Sequence, residues 1–386
     1  MKVQLDRDIL AESVQWAARS LPLRPSQPIL AGLLIRAEPG QLILSSFDYE
    51  TSARITVPAT VEEPGLALVS GRLLSEISRS LPDKPVWLAA DGNSLSLDCG
   101  SSHFALQLLT VADYPELPAM PQACGWIDSA SLAEAVGQVV IAAGRDELLP
   151  VFTGVRLEFN HDQLSFLATD RYRMALKELV WSPAGPGLDA AVLVPGKVLA
   201  ETAKSMTAGD SVTLSLASVE TGEGLIGFEG EGGGGRRQIT TRLLDGEFPK
   251  VRHLMNIAGQ LTVKLSTSEL AAAVKRVALV AERNTSLKMV IGQQSVTLEA
   301  ATGDQAQAFE EVAAQVWAAE ADEPAVEQVG FNPHYLSDVL SVLNAPYVKL
   351  AFSGPGKPCL LTPLADLDQE SEVDYRHVIM LMRLPG

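Results

Sequence analysis

The sequence has few of the residues that build metal sites and disulfides. It contains 3 cysteines and 5 histidines among 386 residues. There is no Cys-x-x-Cys pair, and no two histidines have the i, i+4 spacing of a helical metal site. We therefore predict neither a zinc site nor a disulfide framework. An odd, sparse cysteine count is typical of a reducing cytoplasm.

Long apolar runs and positive charge are also scarce. No run approaches the roughly 18 apolar residues of a membrane helix, and residues 1–8 carry charges where a signal peptide is apolar. We therefore expect a cytoplasmic protein. Lys and Arg number 30 against 47 Asp and Glu, a formal charge of −17. This excess disfavours general affinity for DNA, which is a polyanion, but it allows local basic surfaces on an acidic body.

Motifs for catalysis and cofactor binding are missing. The sequence has no G-x-x-x-x-G-K-[ST] and no G-x-S-x-G. Gly222-x-Gly224-x-x-Gly227 matches a dinucleotide fingerprint, but no helix follows and the glycine run continues to Gly235, so we interpret it as a flexible loop between two strands. The polar cluster at 169–173 holds no nucleophile–base pair. We predict a non-catalytic protein without a cofactor.

An amphipathic helix recurs three times along the chain. Each copy has apolar residues at i, i+4, i+7 and i+11, which form one stripe of a helix. The stripes are Leu10, Val14, Ala17 and Leu21; Leu132, Val136, Val139 and Ala143; and Leu270, Val274, Val277 and Ala281. Helix-start signals precede them at Asp6, at Ser129 or Ser131, and at the capping box Ser266-x-x-Glu269.

A second helix also recurs, at 72–81, 197–206 and 334–343, and apolar alternation typical of strands follows every helix. The order helix, strands, helix, strands therefore occurs three times. It predicts three copies of one α+β domain, at 1–122, 126–254 and 260–386, with linkers at 117–121 and 255–260.

Basic residues occupy equivalent places on these repeated helices. On the second helix they are Arg72 and Arg79 in the first copy and Lys197 and Lys204 in the second, while His334 and Ser341 replace the pair in the third, where a weaker positive face is expected. Lys275 and Arg276 are basic residues off the apolar stripe of the first helix in the third copy. Each one alone is most simply a solvated surface residue. As a set they predict a concave positive lining, provided that the helices share one side of the assembly. Such a lining touches phosphates without reading bases.

Seven short segments carry a resemblance to a known family. They lie at 24–30, 46–50, 153–156, 168–173, 248–250, 330–333 and 380–384. In order and spacing they resemble the bacterial DNA polymerase III beta subunit, the sliding clamp, in its actinobacterial form. The resemblance covers essentially the whole chain. It implies a head-to-tail homodimer, a ring of six domains with helices lining a central hole around duplex DNA and antiparallel sheets outside.

The resemblance also implies a function and an assembly. Such a ring does no chemistry of its own within the DNA-directed DNA polymerase holoenzyme; it tethers the polymerase and is loaded by a separate clamp loader. Arg24, Arg72, Lys197 and Lys204 fall where the family contacts DNA. The implied protomer interface joins Phe104 and Leu106 of the first domain to Leu279 of the third, although simple core residues fit the same pattern.

The family has one groove per protomer, between its second and third domains, that binds peptide tails of polymerases, clamp loader and repair proteins. The matching positions are Phe152, Thr169, Tyr172, Arg173, Met174, Pro249, His253, Leu254, Asn332, Tyr335, Val348, Val378, Met380, Leu381, Met382 and Arg383. Met380 and Met382 suit a groove with several partners because the thioether chain adapts its shape. They fit equally well as core residues of a final strand.

Three positions in or near this groove depart from the family pattern. Leu381 and Ser286 stand where relatives usually have proline, and Val251 stands where they usually have an aromatic residue. Replacing proline frees the φ angle at that position, and replacing an aromatic residue changes the volume of the pocket that its ring would fill. We hypothesise that this protein is a divergent second copy of the clamp, and that its altered groove protects the host from a groove-binding inhibitor.

Two other functions compete with a ring. One is a monomeric repeat scaffold that binds protein peptides without encircling DNA. Native mass separates the two, because a ring predicts a dimer. The other is an intrinsic polymerase or nuclease, which the sequence disfavours because no motif gathers acidic metal ligands.

Overall fold

The computed structural model describes residues 1–185, 187–217, 224–257, 259–282, 285–302, 305–318, 328–354, 356–368 and 374–384. The same order of elements occurs three times: a strand, a helix, a group of strands, a second helix and three more strands. The first copy contains β1 (Lys2–Leu5), α1 (Arg7–Ala18), β2 (Gly32–Glu38), β3 (Gln41–Phe47), β4 (Thr51–Pro58), β5 (Thr60–Glu63), β6 (Gly65–Ser70), α2 (Gly71–Ser80), β7 (Val86–Asp91), β8 (Ser94–Cys99) and β9 (Ser102–Gln107).

The second and third copies repeat this order. The second contains β10 (Ala123–Asp128), α3 (Ser129–Val140), α4 (Pro150–Thr153), β11 (Gly154–Asn160), β12 (Gln163–Thr169), β13 (Arg173–Val180), β14 (Ser182–Pro183), β15 (Asp189–Pro195), α5 (Gly196–Ser205), β16 (Ser211–Leu216), β17 (Leu225–Gly232) and β18 (Gly235–Arg242). The third contains β19 (Leu261–Ser266), α6 (Thr267–Val277), β20 (Leu287–Ile291), β21 (Ser295–Thr302), β22 (Ala306–Ala318), β23 (Gln328–Phe331), α7 (Pro333–Val342), β24 (Tyr347–Phe352), β25 (Cys359–Leu364) and β26 (Tyr375–Ile379).

The chain packs as two compact units, and the middle copy contributes to both. The first unit is Met1–Ala133, Trp181–Leu188 and Val198–Leu243. It holds a five-stranded sheet, β5-β1-β7-β8-β9, and a nine-stranded sheet, β14-β10-β16-β17-β18-β4-β3-β2-β6. Antiparallel pairing of β18 with β4 joins the first two copies in that sheet.

The second unit is Glu134–Val180, Asp189–Lys197 and Leu244–Gly386. Its strands form one twelve-stranded antiparallel sheet in the order β15-β11-β12-β13-β26-β25-β24-β19-β22-β21-β20-β23. Pairing of β13 with β26 joins the second and third copies. Beside this pair lies an apolar cluster that includes Met174, Leu176, Phe248 and Val378. The second unit therefore has a continuous core across the boundary between those copies.

The predicted helices form, but those of the first family end early. The last residue of each apolar stripe, Leu21, Ala143 or Ala281, lies beyond the end of its helix. The Asp6 side chain caps α1, as predicted, by accepting from the backbone N–H groups of Asp8 and Ile9. The predicted start of α3 at Ser129 is confirmed, although the side chain that caps it is Asp128, whose carboxylate accepts the N–H of Ser131 over 2.7 Å.

The prediction of a glycine loop holds for Gly224, which lies between β16 and β17, but was wrong for Gly227 and Gly235. Gly227 and Gly235 lie in the paired strands β17 and β18. A Cβ at Gly235 would come within 2.3 Å of the Thr56 carbonyl oxygen, so glycine permits the close approach of β4. Gly234 makes the turn at φ +86°. Gly222 lies outside the described residues.

Candidate functional site

A three-residue loop between β12 and β13 is held rigidly at the boundary of the second and third copies. Asp170 Oδ1 accepts the backbone N–H groups of Tyr172 and Arg173, both over 2.9 Å. Thr169 Oγ1 donates to the Arg173 carbonyl over 2.8 Å and accepts the N–H of Arg171 over 3.2 Å. These bonds fix Arg171 at φ +80°, in the left-handed region. We call residues 170–172 the hairpin loop.

Arg173, the basic residue that the sequence placed in the groove, is buried in a polar cluster. Its Nε donates to Asp170 over 3.0 Å and its guanidinium donates to Asp338 on α7 over 2.7 Å. The same group lies 4.3 Å from the ring centre of Tyr335. Burial raises the pKa of Tyr335 above its ordinary value. Arg173 is 6% exposed, so it binds the loop to α7 and has little surface left for a ligand.

The C-terminal tail, residues 380–384, crosses from the hairpin loop to β23. The backbone N–H of Met380 donates to the Tyr172 carbonyl, and that of Met382 donates to the Gly330 carbonyl, each over 2.8 Å. Met380 packs against the apolar cluster of the second unit, while Met382, Arg383 and Leu384 line an open cleft of about 950 Å³. The alternative that both methionines are core residues of a final strand therefore fits Met380 in part and does not fit Met382.

The predicted groove residues divide into a buried base and an accessible rim. Thr169, Met174, Val348 and Val378 are at most 2% exposed, so they support the site from beneath. The residues with exposed or half-buried side chains are Phe152, Tyr172, Pro249, His253, Leu254, Asn332, Tyr335, Met380, Leu381, Met382 and Arg383. Pro249 and His253 line a smaller cleft of about 300 Å³ with Val251 and Phe248. Asn332 caps α7 through the N–H groups of His334 and Tyr335.

Gly330 allows the tail to lie close to β23. A Cβ there would come within 2.8 Å of the Met382 carbonyl oxygen and 3.1 Å of both Leu384 Cδ2 and Ser286 Cβ. We predict that Gly330→Val detaches the tail, increases its cleavage by carboxypeptidase and weakens binding of any groove peptide by about tenfold, roughly 1.4 kcal/mol. Gly137→Ala is the control, since nothing lies within 4 Å of its added Cβ. Unchanged tail protection in Gly330→Val would contradict this role.

Six of the seven predicted DNA-contact residues are exposed and lack a carboxylate partner among the described residues; they are Arg24, Arg72, Arg79, Lys197, Lys204 and Lys275. Arg72 donates to the Pro22 carbonyl over 3.1 Å, which brings its helix beside the segment that carries Arg24. Arg276 differs, because its Nε donates to Glu310 over 2.9 Å. That bond raises the pKa of Arg276 and lowers that of Glu310.

The predicted interface residues have different surroundings. Leu106 is 2% exposed and belongs to the core of its own unit, as the core alternative states. Phe104 is half-buried on β9, the edge strand of the five-stranded sheet. Leu279 is 82% exposed just after α6. Its position makes it the strongest of the three for a contact with another molecule.

A second open strand edge lies in the second unit. The residues 306–313 of β22 pair with β21 on one side, and β19 pairs only with Ala314–Ala318 further along the strand. No described strand pairs with the remaining edge of 306–313. Phe309, in the middle of that stretch, is 79% exposed. The sequence analysis missed Phe309, although an aromatic residue among the mostly small and polar residues 306–311 was the available signal.

Other kinds of site are not found in the described part of the chain. No group of three His, Cys, Asp or Glu side chains there is placed to hold a metal ion. No helix among the same residues is long and apolar enough to cross a membrane. The accessible features described above are exposed cations, open strand edges and two clefts lined by both polar and apolar residues.

Comparison with family models assigns all three copies. Residues 1–118 match the N-terminal domain of the DNA polymerase III beta subunit, 126–250 its central domain and 257–383 its C-terminal domain. The chain belongs to the beta sliding clamp family. It is 49% identical to the beta sliding clamp of Streptomyces coelicolor over the full length of both, and 47% identical to that of Micrococcus luteus over 81% of this chain and 98% of the relative.

A further relative and two solved clamps extend this comparison. The chain is 36% identical to the beta sliding clamp homolog GriR of Streptomyces muensis, over 99% of each. It superposes with a TM-score of 0.86 and 25% identity on the Bacillus subtilis clamp and on the Pseudomonas aeruginosa clamp bound to griselimycin, over the full length of all chains. The predicted family and three-domain clamp fold are thus confirmed.

Proposed function

We propose that this clamp is a non-catalytic processivity factor of the cytoplasm, a homodimeric ring that encircles duplex DNA without reading its sequence. Two of the unpaired strand edges carry the proposal. Edge strands that stay unpaired invite pairing with another chain. The β9 edge with Phe104 belongs to the first copy, whereas the β22 edge with Phe309, and Leu279 after α6, belong to the third. Joining unlike edges head to tail closes a ring when two steps complete the rotation.

The unpaired basic side chains support a DNA-facing role for the repeated helices. Seven residues correspond to about two helical turns, so Lys197 and Lys204 project from one face of α5 roughly 10 Å apart. Arg72 and Arg79 have the same spacing on α2. Cations without carboxylate partners are free to neutralise phosphates, and such contacts carry no sequence information. Their even spacing favours loose contact with a sliding duplex.

Retention on circular DNA tests the ring. Clamps loaded on a nicked circle should resist high salt and should be lost when the circle is cut, because the link is topological. A complex held by contacts alone would be sensitive to salt and indifferent to DNA ends. Purified chain with magnesium and no partner should show no nucleotide turnover. A native mass of one protomer would instead favour the monomeric scaffold.

The contribution of the basic residues on α2 and α5 to DNA affinity is measured on linear DNA. Changing Arg72, Arg79, Lys197 and Lys204 to glutamine is expected to reduce the slope of log affinity against log salt by about 3 to 4, since each phosphate contact contributes about 0.9. Arg276→Gln should leave the slope nearly unchanged because that cation is already paired with Glu310. Equal slopes for the quadruple variant and the wild type would remove these residues from the DNA contact.

The rim residues around the hairpin loop and the tail are proposed to bind short, partly apolar peptides of polymerases, clamp loader and repair proteins. The apolar cluster supplies a base, and the two clefts give room on either side. Leu381, Val251 and Ser286 all belong to this region: Val251 packs on the cluster and Ser286 lines the cleft with Met382. They support the hypothesis of a groove altered against an inhibitor.

Griselimycin provides a probe, since it was found bound to the Pseudomonas aeruginosa clamp. We predict that wild-type chain binds it about tenfold more weakly than that clamp, and that Leu381→Pro with Val251→Phe recovers much of the loss. Proline is compatible at 381 because the tail bonds use the N–H groups of Met380 and Met382. Calorimetry with both clamps measures the difference. Equal affinities would remove the hypothesis of an altered groove.

A further inference from the structure

Arg171 differs from the other cation of the hairpin region in its surroundings. Its guanidinium carbon lies 5.5 Å from the ring centre of Phe152 and 5.9 Å from that of Tyr172. Both distances are within the range of a cation–π contact. Tyr172 is 56% exposed and Arg171 is exposed. The guanidinium is therefore held against two rings at the surface of the proposed groove.

The charges around the two arginines explain their separate roles. Arg173 is neutralised by Asp170 and Asp338. Arg171 has no carboxylate within ion-pair distance among the described residues. A guanidinium placed against aromatic rings keeps the edge of its planar fork available for two hydrogen bonds to one carboxylate. The hairpin loop thus presents a cation that has no carboxylate partner among the described residues.

The backbone at Arg171 is fixed by the fold. The first copy has the same loop, in which Asp48 Oδ1 accepts the N–H groups of Glu50 and Thr51, and Tyr49 has φ +76°. A residue other than glycine in the left-handed region of φ lowers the stability of the fold by on the order of 1 kcal/mol. Glycine suits the position better, so the conformation itself does not require arginine. The side chain at this point is free to serve a ligand.

We infer that Arg171 selects groove peptides that present an aspartate or glutamate to the hairpin loop. The inference rests on the proposed peptide groove and names the chemistry of its ligand. The formal charge of the chain is −17, so an acidic peptide is repelled over most of the surface. A local unbalanced cation reverses that repulsion at one point, which selects both the acidic residue and its position along the peptide.

An array of synthetic decapeptides tests this specificity. The array covers the C-terminal thirty residues of actinobacterial polymerase and clamp-loader subunits, and the strongest binder is remade with aspartate and with asparagine at each position. Wild-type chain should prefer aspartate over asparagine about fivefold at one position, by fluorescence anisotropy at low salt. The preference should decrease with added salt, because the interaction is exposed to solvent.

Three variants identify the residue responsible. Arg171→Gly removes the cation and suits the positive φ, so the loop keeps its shape, while Arg171→Ala removes the cation alone. Both should abolish the aspartate preference, and Arg171→Lys should keep part of it. Arg72→Ala, in the other compact unit, is the matched control: it should leave the preference intact and weaken affinity for DNA.

The outcomes separate the inference from the proposed groove. Persistence of the aspartate preference in Arg171→Gly would overturn the role of Arg171. Equal binding of the aspartate and asparagine peptides by wild-type chain would do the same and leave the groove standing. If no array peptide binds wild-type chain, the groove itself is refuted, and the inference with it.

Discussion

Replacing both Leu279 and Phe309 with aspartate is expected to give a folded monomer that no longer remains on circular DNA. These side chains are 82% and 79% exposed in the single chain, so their replacement leaves the core intact. Burying one such apolar side chain contributes about 1.5–3 kcal/mol. Each interface of the proposed ring contains both, and a carboxylate there adds a desolvation cost. Dimer affinity should fall at least a hundredfold, roughly 2.7 kcal/mol.

Sedimentation and DNA retention measure this loss together. The variant should sediment as one protomer and lose its salt-resistant link to a nicked circle. Val180→Asp is the control, because Val180 is 73% exposed at the end of β13, away from either open edge in the sheet order. That variant should stay dimeric. A double variant that remains dimeric would place the protomer interface elsewhere.

The helices were the most predictable part of the fold, because the apolar spacing and the cap that predict a helix lie within a short segment of the sequence. Apolar spacing identified all three members of each helix family, and Asp6 was identified as a cap from its position alone. The overestimated ends, at Leu21 for example, arise because a stripe shows which face is buried and does not show where the backbone leaves the helix. Strands β1, β10 and β19, of 4 to 6 residues, directly precede the first helix of each copy and were not predicted.

The site was less predictable because its geometry depends on distant pairing. Arg173 was selected as a groove residue, yet the contact that buries it comes from Asp338, 165 positions later. Arg171, two residues earlier, was quoted with the same segment and not singled out. Composition could not distinguish them, since the difference between a buried ion pair and an exposed cation is made by the packing of α7 against the hairpin. Phe309 escaped for a similar reason: whether one face of a strand is covered depends on the packing of distant elements, which the local sequence does not show.

A decrease in stability between about pH 6.5 and pH 3 is expected from one histidine beneath the groove. His377 on β26 is fully buried; its Nδ1 lies 2.9 Å from the Tyr375 hydroxyl, which donates to the Gln138 carbonyl over 3.0 Å. Burial, with a smaller contribution from Arg173, lowers the pKa of His377 to about 3. Its Nε2 has no hydrogen-bond partner among the described residues, so nothing there stabilises the protonated form.

The direction of this change in stability follows from the number of protons that the folded and the unfolded chain bind. Above pH 6.5 the imidazole is neutral in both the folded and the unfolded chain, and it adds no pH dependence. Below that pH the unfolded chain takes up a proton that the folded chain does not, so the free energy of unfolding falls by up to about 1.4 kcal/mol per pH unit. Near pH 5 the loss from this residue should be about 2 kcal/mol, and it should grow until the folded pKa is reached.

Denaturant midpoints at pH 7, 6 and 5 test this, compared between wild type and His377→Gln. The variant loses packing at every pH, but its midpoint should decline less with acidification, and that difference in slope is the quantity to measure. His103→Gln is the control, because His103 lies exposed on β9 beside Asp98. Parallel slopes for wild type and His377→Gln would show that another group causes the acid sensitivity.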